Sequence, residues 1–151
     1  MKTSEEILAE LCDREAIRDL PVRYCDCVWQ GNLETMLELF ANDAVFITKG
    51  RKRESVNRGH DELRKMYEKA IGELSPRPFI HNHVVDLKGK TKASGRCYVE
   101  LRNAKRQFEW VGTGFYDDEY VKEDGRWKFA ARRFTSFGMQ PAGAASGAAK
   151  S

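Results

Sequence analysis

At 151 residues the chain fits one domain with a single sizeable core, and 41% hydrophobic with 11% aromatic residues exclude bulk disorder. A formal net charge of +3 is too mild for the concentrated basic face of a nucleic-acid binder, so the run Arg51-Lys52-Arg53 with Arg58 reads as a solvated loop. Cys12, Cys25, Cys27 and Cys97 include a lone C-x-C pair without the second pair of a zinc ribbon, which predicts reduced thiols and no metal. No charged-then-apolar leader opens the chain and no apolar run approaches a membrane span, so a cytoplasmic protein is expected.

Thr3-Ser-Glu-Glu6 is a helix start with a glutamate three residues after a capping threonine, and Ile7, Leu8 and Leu11 follow at helical spacing. Asp13 is read as the cap of a second segment with Ile17, Leu20, Tyr24 and Val28 on one stripe, kinked at Pro21 and stopped by Gly31. Leu33, Met36, Leu37 and Phe40 define a third helix, Val45-Phe-Ile47 a short strand, and Lys49 to Arg58 a polar loop. Asp61 leads a fourth helix with Leu63, Met66, Tyr67, Ala70, Ile71 and Leu74 inward, broken at Ser75-Pro-Arg-Pro78.

From Phe79 the period changes to two, giving strands Phe79–Leu87, Ala93–Arg102, Gln107–Val121 and Arg126–Phe137. Asp124-Gly125 between Tyr120-Val121 and Trp127-Lys-Phe129 is a hairpin signal. Helices first and long antiparallel strands after them predict an α+β domain over residues 1–137, with the helices on one face of a curved sheet. Gly112 and Gly114 would permit the bend, and residues 138–151, rich in Gly, Ala and Ser, are expected to form a flexible tail.

Polar side chains open the first long strand as His81-Asn82-His83, so this strand is expected to edge a pocket. Histidine titrates near working pH and is the best general base in the chain. Alternation sends His81 and His83 to one face and Asn82 to the other. His60 reads as an exposed loop residue. Arg132 and Arg133 face opposite ways, so at most one turns inward to meet an acid or an anionic substrate group; Arg133 is named for that role, the alternative being an exposed edge arginine. Asp117, Asp118 and Glu119 read as a solvated acidic edge. No phosphate-cradling glycine loop or nucleotide fingerprint occurs, so no cofactor is expected.

The order of elements is joined by Ala16-Ile-Arg-Asp-Leu20, Tyr24, Gly89 before Ala93-Ser-Gly-Arg-Cys-Tyr98, and Tyr116-Asp-Asp-Glu-Tyr120 leading to Asp124-Gly-Arg-Trp-Lys-Phe129. Together these resemble the SnoaL-like branch of the nuclear transport factor 2 (NTF2-like) superfamily, which includes scytalone dehydratase and polyketide cyclases. The resemblance covers about residues 10 to 137. It implies an NTF2-like cone, a curved and mixed-edge sheet wrapped around N-terminal helices, with a cavity between them.

In dehydratase-like members a helix aspartate and a strand histidine form a proton-removing dyad. Counted without gaps from Tyr24, the aspartate's place is Trp29. The histidine's place, four residues before Asn82, is Pro78. A bulge near Pro78 would turn His81 into the cavity, and Asp26 lies about 60° from Trp29 on a helical wheel.

The resemblance therefore implies a cofactor-independent lyase or isomerase acting on a small aromatic or polycyclic substrate by loss of water or aldol-type cleavage. His81, Tyr24 and Asp26 are the catalytic candidates, and Trp29, Asn82, His83, Tyr98, Trp110 and Arg133 contact substrate. The alternative is a non-catalytic module binding a hydrophobic ligand or a protein partner. A homodimer or homotrimer is expected by the same resemblance.

Overall fold

A computed structural model describes residues 1–50 and 52–140. Helix α1 (Ser4–Gln30) opens with the expected capping box: Glu6 N–H donates to the Thr3 hydroxyl at 3.2 Å, and Thr3 N–H to the Glu6 carboxylate at 2.7 Å. It ends at Gly31, whose φ of 68° needs a residue without a Cβ. Two segments were expected here, yet the helix runs unbroken through Pro21. The proline removes a single backbone bond while its ring is buried in the core, so packing holds the turn. Asp13 is consequently no cap. It accepts from Trp127 Nε1 at 2.8 Å and Lys122 Nζ at 2.9 Å, tying the helix to the last hairpin.

Helix α2 (Leu33–Glu38) stops before Phe40, which instead opens strand β1 (Phe40–Lys49) and remains fully buried. Strand β2 (Glu54–Arg58) lies within the predicted loop; it is a mostly exposed polar edge and carries no apolar period. Helix α3 (Gly59–Leu74) leads to β3 (Pro76–Leu87), which includes the residues expected to break the chain. The remaining strands are β4 (Lys92–Asn103), β5 (Glu109–Glu123) and β6 (Arg126–Met139). Positive φ at Asp124 and Gly125 forms the predicted β5–β6 hairpin turn. Strand β6 takes in Gly138 and Met139, expected to be tail; the rest of that tail, from Pro141, lies outside the described residues.

The sheet has six strands in the order β2-β1-β6-β5-β4-β3, with β1 parallel to β6 and the other neighbours antiparallel. This is the expected α+β class, a curved mixed sheet with helices against its concave face. Bulges set which side chains face that hollow. In β3, His81 and Asn82 together oppose Tyr98, so the inward side switches from Pro76, Pro78 and Ile80 to His83, Val85 and Leu87. In β6 the extra residue Ala130 lets Phe129 and Arg132 both point inward.

Candidate functional site

The hollow between α1, α3 and the concave sheet holds a cavity of about 220 Å³. Val28, Phe46, Met66, Ile71, Leu101 and Phe134 give it an apolar wall, and Tyr24, Tyr67, Tyr116 and Thr48 supply hydroxyl groups. None of the described lining residues is acidic, basic or a histidine. Tyr67 donates to the Tyr24 hydroxyl oxygen at 2.9 Å. Burial raises the pKa of all three tyrosines well above the ordinary phenol value, so they stay protonated and act as hydrogen-bond donors.

Beneath Tyr24 and Tyr116 lies a buried polar chain. Arg132, with no solvent exposure, donates from Nε to Asp118 Oδ1 at 2.8 Å and from Nη2 to Oδ2 at 3.0 Å. Its guanidinium carbon sits 3.8 Å from the Tyr116 ring centre, 4.3 Å from Phe129 and 4.4 Å from Tyr24. Burial works against the charge, but the Asp118 carboxylate outweighs it and Arg132 remains a cation. Tyr120 donates to Asp118 Oδ2 at 3.0 Å, so its oxygen accepts from His83 Nε2, also at 3.0 Å. Burial lowers the pKa of His83, with the Asp118 charge acting in the opposite sense, and the ring is neutral at pH 7.

The catalytic candidates are not brought together. Tyr24 faces the cavity as expected. His81 stands on the bulge with its side chain 52% exposed and Nε2 3.7 Å from Glu100 Oε2. Asn82 is exposed beside it, and Asp26 is exposed on α1. The bulge that could have turned His81 inward lies three residues later than Pro78 and turns His83 inward instead.

Trp29 and Pro78, at the resemblance's dyad positions, meet each other: the indole Nε1 donates to the Pro78 carbonyl at 2.8 Å. Tyr98 packs with Phe115 and Phe137, and Trp110 donates to Thr113 Oγ1 at 2.9 Å; neither lines the cavity. Arg133 faces outward and pairs with Glu54, while Arg132 takes the inward place.

Asp118 corrects the reading of a solvated acidic edge, and the signal was present in the chain. Tyr116-x-Asp118-x-Tyr120 puts an acid between two aromatic residues on one strand face, where Asp117 and Glu119 alternate outward. Tyr67 falls on the predicted inward stripe of α3, though no role was assigned to it. His60, expected to be exposed, is partly buried with Nε2 3.0 Å from the Phe40 carbonyl.

The family profile described as a SnoaL-like domain matches residues 9–133. No curated protein matches the chain. Among solved structures, LinA aligns over 95% of this chain and 98% of its own, with a TM-score of 0.77 and 19% identity. A Novosphingobium aromaticivorans protein provisionally named a scytalone dehydratase aligns over 91% and 98%, at 0.73 and 23%. Rv3472 from Mycobacterium tuberculosis, in a D26N form and of unknown function, aligns over 86% and 75%, at 0.76 and 24%. These identities carry the fold alone. Among the described residues no helix is long and apolar enough to cross a membrane.

Proposed function

Because the chain belongs to the SnoaL-like domain family of the NTF2-like superfamily, we propose that its cavity takes up a small, neutral, mostly apolar molecule of one or two rings and holds one of its oxygens on the tyrosine hydroxyls. One observation carries this reading: the lining joins an apolar wall to a Tyr24–Tyr67 hydroxyl pair without any ionised side chain. Its volume of about 220 Å³ lies below the ~300–1,000 Å³ of drug-sized pockets, which suits one or two rings. Tyr24, accepting a hydrogen bond from the Tyr67 hydroxyl, has its own O–H to offer an acceptor such as a carbonyl, and the bond it accepts strengthens that donation. An anionic ligand would lose its hydration without meeting a lining cation.

The test is calorimetric titration with 1-indanone and with indane, which lacks the oxygen. Tyr24→Phe should weaken the ketone by about three- to tenfold and leave indane unchanged, the loss of one neutral hydrogen bond. Equal losses for both ligands remove the hydroxyl from the account, and no binding of either by the wild type removes the reading itself.

A second reading is a cofactor-independent lyase or isomerase, supported by the same hydroxyl pair, which would stabilise an oxyanion developing on a bound ketone. None of the described lining residues is a base; His83, the inward-turned strand imidazole, lies outside the lining on the Tyr120–Asp118 chain and would act only on a substrate that reaches beyond the cavity. Loss of turnover in His83→Gln with ligand affinity retained would support it; His81→Ala serves as the exposed control.

Self-association belongs to the same proposal. The outer sheet face carries Val84, 55% exposed, and Phe137, 65% exposed, the latter beside the rings of Tyr98 and Phe115. A second copy of the chain would cover that face.

A further inference from the structure

We propose that Arg132 sets how strongly the cavity holds a ligand oxygen: its cation lies against the Tyr24 and Tyr116 rings and makes their hydroxyls stronger hydrogen-bond donors. The inference rests on the small-molecule reading of the same cavity. It names a residue outside the lining that governs the preference for a ketone over a hydrocarbon. Tyr24 and Tyr116 both line the cavity, and Arg132 does not. Its guanidinium carbon lies over both rings, 4.4 Å from the centre of Tyr24 and 3.8 Å from that of Tyr116. The two rings meet at 73° with centroids 6.1 Å apart, so one cation serves both.

A positive charge over the face of a phenol draws electron density from the ring and its oxygen, and the O–H is then offered more strongly to an acceptor. Burial decides how far that pull is felt. Arg132 has no solvent exposure, so water does not screen its charge as it would at the surface. Its counter-ion is engaged elsewhere: Asp118 accepts from Arg132 Nε and Nη2 and from the Tyr120 hydroxyl. Burial is the largest influence on the Tyr24 and Tyr116 phenols and raises the pKa of each, and Arg132 opposes it on both. The other titratable side chains acting on Tyr24 are Tyr67, Tyr116's neighbour across the same hollow, and Cys25; burial raises the pKa of both, so they are neutral at pH 7. Arg132 is thus the charge that Tyr24 meets. An apolar wall treats indane and 1-indanone alike, whereas polarised hydroxyls separate them.

The ion pair is best removed as a whole, by Arg132→Met with Asp118→Leu, so that no carboxylate is stranded. In the full chain this double variant should bind 1-indanone about two- to fivefold more weakly, with indane within about twofold of wild type. The loss is smaller than in Tyr24→Phe because the hydrogen bond is weakened and not deleted. A second measurement needs no ligand. With 3,5-difluorotyrosine, a more acidic phenol, incorporated at position 24, its ionisation is followed by ultraviolet absorbance. Removing the cation should raise that ionisation by about one pH unit or more, while the same label at position 98, on the outer face, keeps its value.

Arg132→Lys retains a cation and should shift the ionisation at position 24 by less than half as much. Equal shifts in the lysine and double variants would make packing the cause and overturn the inference. Arg132→Gln, whose amide can still donate to Asp118, replaces the double variant should that one fail to fold, with the same direction expected. Failure of 1-indanone to bind the wild type defeats the small-molecule reading and leaves the titration to decide the role of Arg132. Unchanged ionisation at position 24 overturns that role whether or not the ligand binds.

Discussion

Arg132 carries a full charge into a site sealed by three aromatic rings, and its Nη1 has no hydrogen-bond partner among the described residues. Its bidentate bond to Asp118 compensates the lost hydration. Arg132→Met should therefore cost about 3–5 kcal/mol, since it strands a buried carboxylate, and Arg132→Met with Asp118→Leu should recover most of that loss. Urea unfolding of both variants checks it; equal stabilities would mean that Asp118 needs no partner. His83 gives a pH signature. Its folded-state pKa is lowered by burial, so the unfolded chain takes up the proton first as pH falls. The neutral ring's contribution is complete above about pH 6.5, the unfolded value, and is lost as pH drops through the lowered folded value. His83→Gln should flatten the stability profile over that window, whereas identical slopes in both proteins would rule out the linkage.

At the scale of elements, the four long C-terminal strands were legible because apolar residues alternate, whereas the polar edge β2 and the bulges were not. One inserted residue reverses which side chains face the cavity, and period two carries no mark of it. That reversal separates His83 from His81 in β3 and Arg132 from Arg133 in β6. Gly114 marks a close approach of β5 and β6 in the curved sheet: a Cβ there would lie 2.4 Å from the Thr135 carbonyl and 2.8 Å from the Phe134 ring. Gly114→Ala should destabilise by about 1–3 kcal/mol through overpacking. Gly72→Ala, in α3 with nothing within 4 Å of the added carbon, should stabilise by about 0.5–1 kcal/mol. Thermal unfolding of the pair, read together, tests whether closeness of approach or helix propensity governs each glycine.

For the molecule as a whole, the two faces of the sheet differ in kind. The concave face is covered by α1 and α3 and encloses the cavity. The opposite face leaves Val84 and Phe137 exposed, with Arg96 4.7 Å from the Phe115 ring centre. If a second copy covers it, Phe137→Glu should shift sedimentation from an oligomer to a monomer and leave ligand binding in the separate cavity unchanged. A wild-type chain that sediments as a monomer at micromolar concentration would end that proposal.

The amino-acid order alone determined the helical opening, the hairpin at Asp124-Gly125, the α+β class and Tyr24 on an inward stripe, because each follows from spacing within a few residues. It also placed Trp29 and Pro78 where the resemblance would have an acid and an imidazole. Only the tertiary structure decided that these two bond to one another, that His83 turns inward while His81 meets solvent, and that Asp118 is a buried counter-ion. Such outcomes depend on bulges and on strands far apart in the chain. Burial and pairing are properties of the neighbours that folding assembles, and local spacing does not encode them.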